Sequence, residues 1–269
     1  MVDRFLFFTG SVTFKWVNGV ATLLMVIALQ MAVSGELMCL WYSTNVVQVK
    51  ASLLFMKYST RSGDMLVRAH KVLIAVAFAL VFLHMAKALH LQAAAGSRAL
   101  SWKTGYGVLI LMFAVSYAGC ILPWTVLSPT LYTMVQTILD TYVGGWSVFI
   151  LLGGEKYPMS ILARTLVLHI LAGLAGVVAL TLHIRAVHFV ASSVNRHHTW
   201  VTADRPTWLP NEIVKEMYLL YFFFFSFFLL LYKKSASWGS FYVSIHKFYY
   251  GGATNWNNLP PSIEPEWYF

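Results

Sequence analysis

Five stretches of the chain stay apolar for close to the roughly 20 residues that a helix needs to cross the hydrocarbon core of a bilayer. They run from about Val17 to Trp41, Leu66 to Leu91, Gly105 to Leu127, Ile161 to Phe189 and, as a shorter piece, Met217 to Tyr232. None shows the alternation of a half-buried strand, so the pattern predicts an all-α membrane protein: a four-helix transmembrane bundle plus a fifth helix. The connection Ser128 to Ser160 holds two amphipathic pieces, LYTMVQTIL and WSVFILL, joined through Gly144-Gly145. Such pieces either lie in the membrane surface or pack as a re-entrant loop. The organisation expected is residues 1–200 as the four-helix domain, and 201–269 as a connecting loop, the fifth helix and a closing loop.

Composition narrows the class. Of 269 residues, 59% are hydrophobic and 11% charged, against about half and a quarter in soluble domains. The net charge of +9 does not point to nucleic acid, because Lys233-Lys234 is the lone adjacent basic pair and the other cations are scattered, as residues flanking membrane spans are. Lys and Arg divide almost evenly between the two faces, so they leave the orientation open. Cys39 and Cys120 stand far apart and suggest no disulfide framework. The apolar patch FLFF near the start is too short for the core of a cleaved signal peptide.

Candidate chemistry comes from a repeat of spacing. The second span carries His70 and His84, the fourth His169 and His183, each pair 14 positions apart. Fourteen residues fall about 40° short of four full turns and rise about 21 Å, so each pair shares one helix face, with one member toward each leaflet. On two facing antiparallel helices His70 meets His169 and His84 meets His183. Two facing imidazoles suit a six-coordinate heme iron, which with both axial positions filled passes electrons rather than binding substrate. In the third span Gly105 and Gly119 are also 14 apart, and glycine lets a flat ligand or another helix approach the backbone. Intramembrane ionisable residues are functional candidates. A four-histidine metal-transport site is the chemical rival, but it needs its ligands at one depth. Arg68, Lys87 and Arg164 stand near the histidines, where they pair with heme propionates or snorkel to lipid phosphates.

With this spacing on both histidine spans, with Gly119-Cys120-Ile121-Leu122-Pro123-Trp124 closing the third helix and with Pro265-Glu266-Trp267-Tyr268 near the end, the chain resembles the cytochrome b subunit of the quinol–cytochrome c oxidoreductase, respiratory complex III. The resemblance covers nearly the whole chain. It implies two hemes b, the low-potential one on His70 and His169 near the positive side, the high-potential one on His84 and His183 near the negative side. It implies quinol oxidation near Glu266 and Tyr268, with one electron passed to a Rieske iron–sulfur protein and the other crossing to a quinone, ubiquinone, near His188, Glu216 and Ser192 or Ser193. Proton translocation, a cytochrome c-type partner, a dimeric complex, surrounding lipids and a mitochondrial inner membrane location follow, with the bacterial plasma membrane as the alternative. Taken alone, His188 reads as an interfacial residue and Glu216 as a helix-start charge.

Several positions depart from the family. Lys87 replaces the usual arginine, Arg68 stands one position closer to its histidine, and Leu131 takes the place of a small residue. The paired glycines of the first helix are blurred into Gly19 or Ala21 and Ser34-Gly35. The family continues past Pro-Glu-Trp-Tyr into three more helices, whereas this sequence stops at Phe269. The expectation is a split gene, with a second chain supplying those helices, or a truncated sequence. Two other functions remain open: a diheme membrane anchor of another respiratory oxidoreductase, and a heme-free transporter or assembly subunit.

Overall fold

The computed structural model describes residues 19–60, 62–90, 96, 99–125, 127–154, 160–194 and 213–232. Among the described residues there are helices and turns and no strand. The helices are α1 (Val20–Cys39), α2 (Val49–Ser59), α3 (Gly63–His90), α4 (Ala99–Ile121), α5 (Leu127–Tyr142), α6 (Gly145–Ser147, continued by a π-helix over Val148–Leu152), α7 (Ile161–Val194) and α8 (Ile213–Tyr232). Four of them, Val20–Cys39, Gly63–His90, Ala99–Ile121 and Ile161–Val187, are long and apolar enough to cross a membrane.

These are the first four expected spans, with shifted ends. The third begins six residues earlier than its apolar run, because Ser101, Lys103 and Thr104 continue the helix as polar positions. It ends at Ile121 because Leu122 precedes Pro123, and a residue before proline is pushed out of the α region. The fifth expected span lies within the 20-residue helix α8, Ile213–Tyr232. The two amphipathic pieces of the long connection form α5 and the α6–π segment, while α2, with Lys50 and Lys57, is a helix that the apolar pattern does not announce.

The described residues fall into two compact units, one within Met1–Val33, Ala69–Tyr106 and Leu180–Lys233, the other within Ser34–Arg68, Gly107–Ala179 and Lys234–Phe269. In the first unit the buried apolar side chains come from α1 (Leu23, Ile27), α3 (Leu73, Phe78), α7 (Ala186) and α8 (Phe227). The second has a core of Val49, Tyr132, Val148, Leu152, Ile161 and Leu162, which fastens α2, α5, the π-helix and the start of α7 together. Elsewhere the apolar side chains face outward. On α7, Val167, Leu171, Leu174, Val178 and Leu182 are exposed, which suits a helix whose solvent is lipid and whose backbone groups are satisfied internally.

Tyrosine hydroxyls pin the irregular backbone of the second unit. Tyr42 donates to the Leu122 carbonyl at 2.7 Å, Tyr117 to Leu131 at 2.6 Å, and Tyr132 to Gly154 at 2.8 Å. Between the first two anchors lies Trp124 with φ 49°, the non-glycine residue in the left-handed region among the described residues. That conformation costs on the order of 1–2 kcal/mol and persists where its surroundings hold it. Ser128 Oγ accepts from the Thr125 N–H at 2.9 Å and donates to the Cys120 carbonyl at 3.2 Å, closing the turn from α4 into α5.

The corner from α2 to α3 depends on Gly63. A Cβ there would overlap both the Met56 carbonyl oxygen and Thr60 Oγ1, while the Gly63 N–H is bound by that same hydroxyl at 3.0 Å. Gly63→Ala must therefore move backbone, at a cost of about 1–3 kcal/mol. Gly107, with nothing within 4 Å of its Cβ position, is the control. Thermal unfolding of the detergent-solubilised protein is expected to show a midpoint several degrees lower for Gly63→Ala and unchanged for Gly107→Ala.

Candidate functional site

In the first unit, α3 carries His84, α7 carries His183, and α4 supplies Thr104 and Gly105. The His84 and His183 rings lie 6.4 Å apart between centroids with their planes at 82°. A metal–imidazole bond of about 2.0 Å, plus about 1.1 Å from nitrogen to ring centre, sets two imidazoles on opposite sides of one metal about 6.2 Å apart. The pair thus has the spacing of a ring–metal–ring arrangement.

The tautomer of His183 follows from its neighbours. Thr104 Oγ1 lies 3.0 Å from the Leu100 and Ser101 carbonyl oxygens, either of which takes its one hydrogen. With that hydrogen given to the helix, its oxygen accepts from His183 Nδ1 at 3.2 Å. We accordingly assign the hydrogen to Nδ1, which leaves the Nε2 lone pair for a metal. Gly105 makes the approach possible, since a Cβ there would stand 2.9 Å from His183 Cε1.

The second unit repeats the α4–α7 half of the arrangement, 14 residues away on each of those two helices. His169 Nδ1 lies 2.8 Å from the Val115 carbonyl, which can only accept. Its Nε2 is again the free lone pair. A Cβ on Gly119 would come within 3.1 Å of His169 Cε1. The accepting carbonyl of Val115 lies four residues before Gly119, one turn back on the same face of α4. Binding one ring nitrogen to a backbone carbonyl is how metal-ligating histidines are commonly oriented. The expected glycine role is refined: each glycine meets the imidazole ring itself.

His70 is half-buried on α3. It belongs to the first unit and His169 to the second, and their pairing remains an expectation. Among the described residues no group of three or more His, Cys, Asp or Glu converges as a bare-ion site would need. The donor set at His84 and His183 therefore fits a group that brings its own equatorial ligands, as a porphyrin does. One further atom calls for a partner: the buried side-chain oxygen Gln30 Oε1 in α1 has no hydrogen bond, and a polar atom unpaired at membrane depth costs a few kcal/mol.

The three cations have varied surroundings. Arg68 pairs with Asp64 at 2.7 Å, one turn back on α3. An i,i+4 helix pair contributes about 0.3–0.5 kcal/mol, less than the roughly 1.5–3 kcal/mol of a hydrogen bond to a charged group, so this half-buried pair leaves Arg68 available to a stronger anion. Arg164 is exposed, donates to the Ile150 carbonyl and lies over Gly153. Lys87 is half-buried on the turn after His84. Leu131 is buried, with its carbonyl on Tyr117. Glu216 opens α8 in its first turn. His188 and Ser192 lie on the backbone of α7, with their side chains outside the described part. Glu266 and Tyr268 lie outside the described residues. The hydroxyl of Thr104 and the carbonyl of Val115 are functional groups that spacing and residue type did not announce. A carbonyl carries no residue signature, and the clue available was its position four residues before Gly119.

Residues 75–242 match the sequence profile of the family described as cytochrome b(N-terminal)/b6/petB. Cytochrome b of Neurospora crassa is 24% identical over 266 residues, covering 96% of this chain and 66% of that protein. Cytochrome b of Podospora anserina is 24% identical over 261 residues, covering 96% and 65%. The chain thus spans just under two thirds of the length of these relatives. Among solved structures, a chain of a hyperthermophilic respiratory Complex III superposes with a TM-score of 0.76 at 18% identity, covering 94% of this chain and 67% of that one. That likeness shows the fold, an all-α membrane bundle.

The glycine contacts yield a direct test. Valine at position 105 or 119 pushes the neighbouring ring off its acceptor. Gly105→Val and Gly119→Val are each expected to lower the b-type absorbance of the purified protein, because each displaces a histidine ring. Gly107→Val is expected to leave it intact.

Proposed function

Because the chain belongs to the cytochrome b(N-terminal)/b6 family, we propose that it is the heme-bearing, quinone-reactive part of a quinol–cytochrome c oxidoreductase. The observation that carries this reading is the 6.4 Å separation of the His84 and His183 rings, together with Nδ1 hydrogen bonds that leave Nε2 of His183 and His169 free. Two hemes b fit these residues, the low-potential one on His70 and His169 and the high-potential one on His84 and His183. When bound, they supply one-electron exchange at two depths and so a path across the bilayer.

The chain's own residues do the rest. His70, His84, His169 and His183 would hold the two hemes, which would then serve electron transfer rather than substrate binding. The two glycines of α4 let the rings seat against backbone, and the apolar faces of α3 and α7 keep water out. Arg68, Lys87 and Arg164 neutralise propionates. Near the positive side Glu266 accepts a proton from quinol, and Tyr268 hydrogen-bonds a quinol oxygen. Each quinol gives up two electrons and two protons, one electron going to a Rieske iron–sulfur protein. On the negative side His188 and Glu216, with Ser192 beside them, hand protons to the quinone being reduced. A cytochrome c-type subunit and a dimeric assembly in the mitochondrial inner membrane complete the reading.

Reduced-minus-oxidised spectra of the purified protein test it. Two b-type signals are expected, each low-spin, with His183→Leu removing one and His169→Leu the other. A protein without b-type absorbance would rule the reading out. For the quinol site, Glu266→Gln is expected to slow quinol oxidation by about 10²-fold or more at neutral pH while the two heme signals remain, because a general base contributes on that scale.

A further inference from the structure

Helix α2 lies in the connection between two membrane-spanning helices. The first of these ends at Cys39, α2 covers Val49–Ser59, and the next begins at Gly63. The 11 residues of α2 rise about 16 Å, too little to cross a hydrocarbon core of about 30 Å, so connectivity keeps the helix at one face of the bilayer. At about 100° per residue its side chains sort into three arcs. Val49 and Met56 are buried, and Val49 and Leu53 pack into the core that α2 shares with α5 and the π-helix. On the opposite side Ala51, Leu54, Phe55 and Tyr58 fall within an arc of about 100°. Phe55 is 53% exposed and Tyr58 63%, and Val47, just before the helix, is 76% exposed. Lys50 and Lys57, one on each side of two helical turns, share the flank between these arcs, and α2 holds no acidic residue.

We propose that the outer arc of α2 is a membrane-surface anchor: Val47, Phe55 and Tyr58 enter the boundary between headgroups and acyl chains, while Lys50 and Lys57 bind the phosphates of anionic phospholipids. Position and charge both choose lipid as the occupant. A helix held at the bilayer face by the spans on either side of it has lipid within reach of its outer arc. Two cations and no carboxylate on the helix complement an anionic headgroup layer. A lysine on the edge of an apolar arc lays its stem along that arc and carries its charge to the phosphate level. Lys57 Nζ stands 4.9 Å from the centre of the Tyr58 ring, so cation and aromatic lie side by side, a pairing suited to headgroup depth, where tyrosine is enriched. An exposed apolar arc beside lysines is the pattern of a helix lying in the interface plane. Because Val49 and Leu53 join α2 to the core around Tyr132 and Val148, a lipid-anchored α2 also steadies α5 and the π-helix. This role does not depend on the heme reading.

The test is fluorescence quenching of the full chain, in the complex it is purified with, reconstituted into bilayer nanodiscs. Cys39→Ser and Cys120→Ser remove the native thiols, and a bimane is attached at Ala51→Cys or at Phe55→Cys. Both positions are expected to be quenched by nitroxide-bearing phospholipid and to be shielded from iodide several-fold relative to the free fluorophore. At equal mole fraction, nitroxide phosphatidylglycerol is expected to quench more than nitroxide phosphatidylcholine. Lys50→Gln together with Lys57→Gln is expected to remove that excess, a loss of about fivefold in local preference for each lysine, while quenching by phosphatidylcholine persists and reports a helix still in place. Iodide quenching as strong as that of the free fluorophore would put the arc in water and overturn the proposal. Protection from iodide and from lipid alike would put protein on the arc and overturn it too. Equal quenching by the two lipids, or an excess that survives the loss of both lysines, would overturn the assignment of Lys50 and Lys57 to anionic phosphates.

Discussion

The Nδ1 bond that ties each α4-facing histidine to α4 is the constraint from which the rest of the site follows. His169 donates to the Val115 carbonyl, and His183 is held by the Thr104 hydroxyl. An imidazole in hydrocarbon must satisfy its N–H, and a helix has few acceptors to spare, because its carbonyls already close the i,i+4 ladder. A carbonyl has two lone pairs, so it can take a second hydrogen if the donor comes close enough. Glycine at 105 and 119 clears that space: a methyl at either position would stand about 3 Å from the ring carbon. The bond then fixes ring orientation and tautomer together, and hands the other nitrogen to a metal.

The surroundings of the site serve this pairing at two levels. Within the first unit, Leu73 and Phe78 of α3 and Ala186 of α7 are buried, giving the helices that bear His84 and His183 a packed interior, while their remaining apolar faces meet lipid. Within the second unit, tyrosine hydroxyls and the Val49–Tyr132–Ile161 core anchor the segments around the start of α7. Trp124 keeps an unfavourable backbone angle there, between anchors at Leu122 and Leu131. Strain of this kind is tolerated because the neighbouring backbone is tied on both sides.

Much of this is legible in the sequence, for physical reasons that particular residues make plain. The interval of 14 from His70 to His84 and from His169 to His183 is a helical phase relation, so spacing alone places each pair on one face. The same interval from Gly105 to Gly119 marks the face of α4 that meets the rings. What spacing cannot reveal is the atom each ring binds, because Val115 acts through a carbonyl that every residue possesses. Thr104 is hidden too, since a threonine inside a helix ordinarily bonds its own preceding turn, and only the packing of α7 against α4 brings His183 to its oxygen. Helix α2 escapes notice because Lys50 and Lys57 break its apolar run. The end of α4 falls short of its apolar run because Pro123 stops a helix more firmly than the apolar pattern around it suggests.

What lies between His84 and His183 decides whether this chain carries heme as its fold and family lead us to propose. A density map of the intact membrane complex that resolves side chains would examine this directly. The expected result is a macrocycle with its iron midway between the two Nε2 atoms, and the Nδ1 atom of His183 still against Thr104. Two imidazoles in the same positions with protein side chain or lipid between them, and no macrocycle, would contradict it.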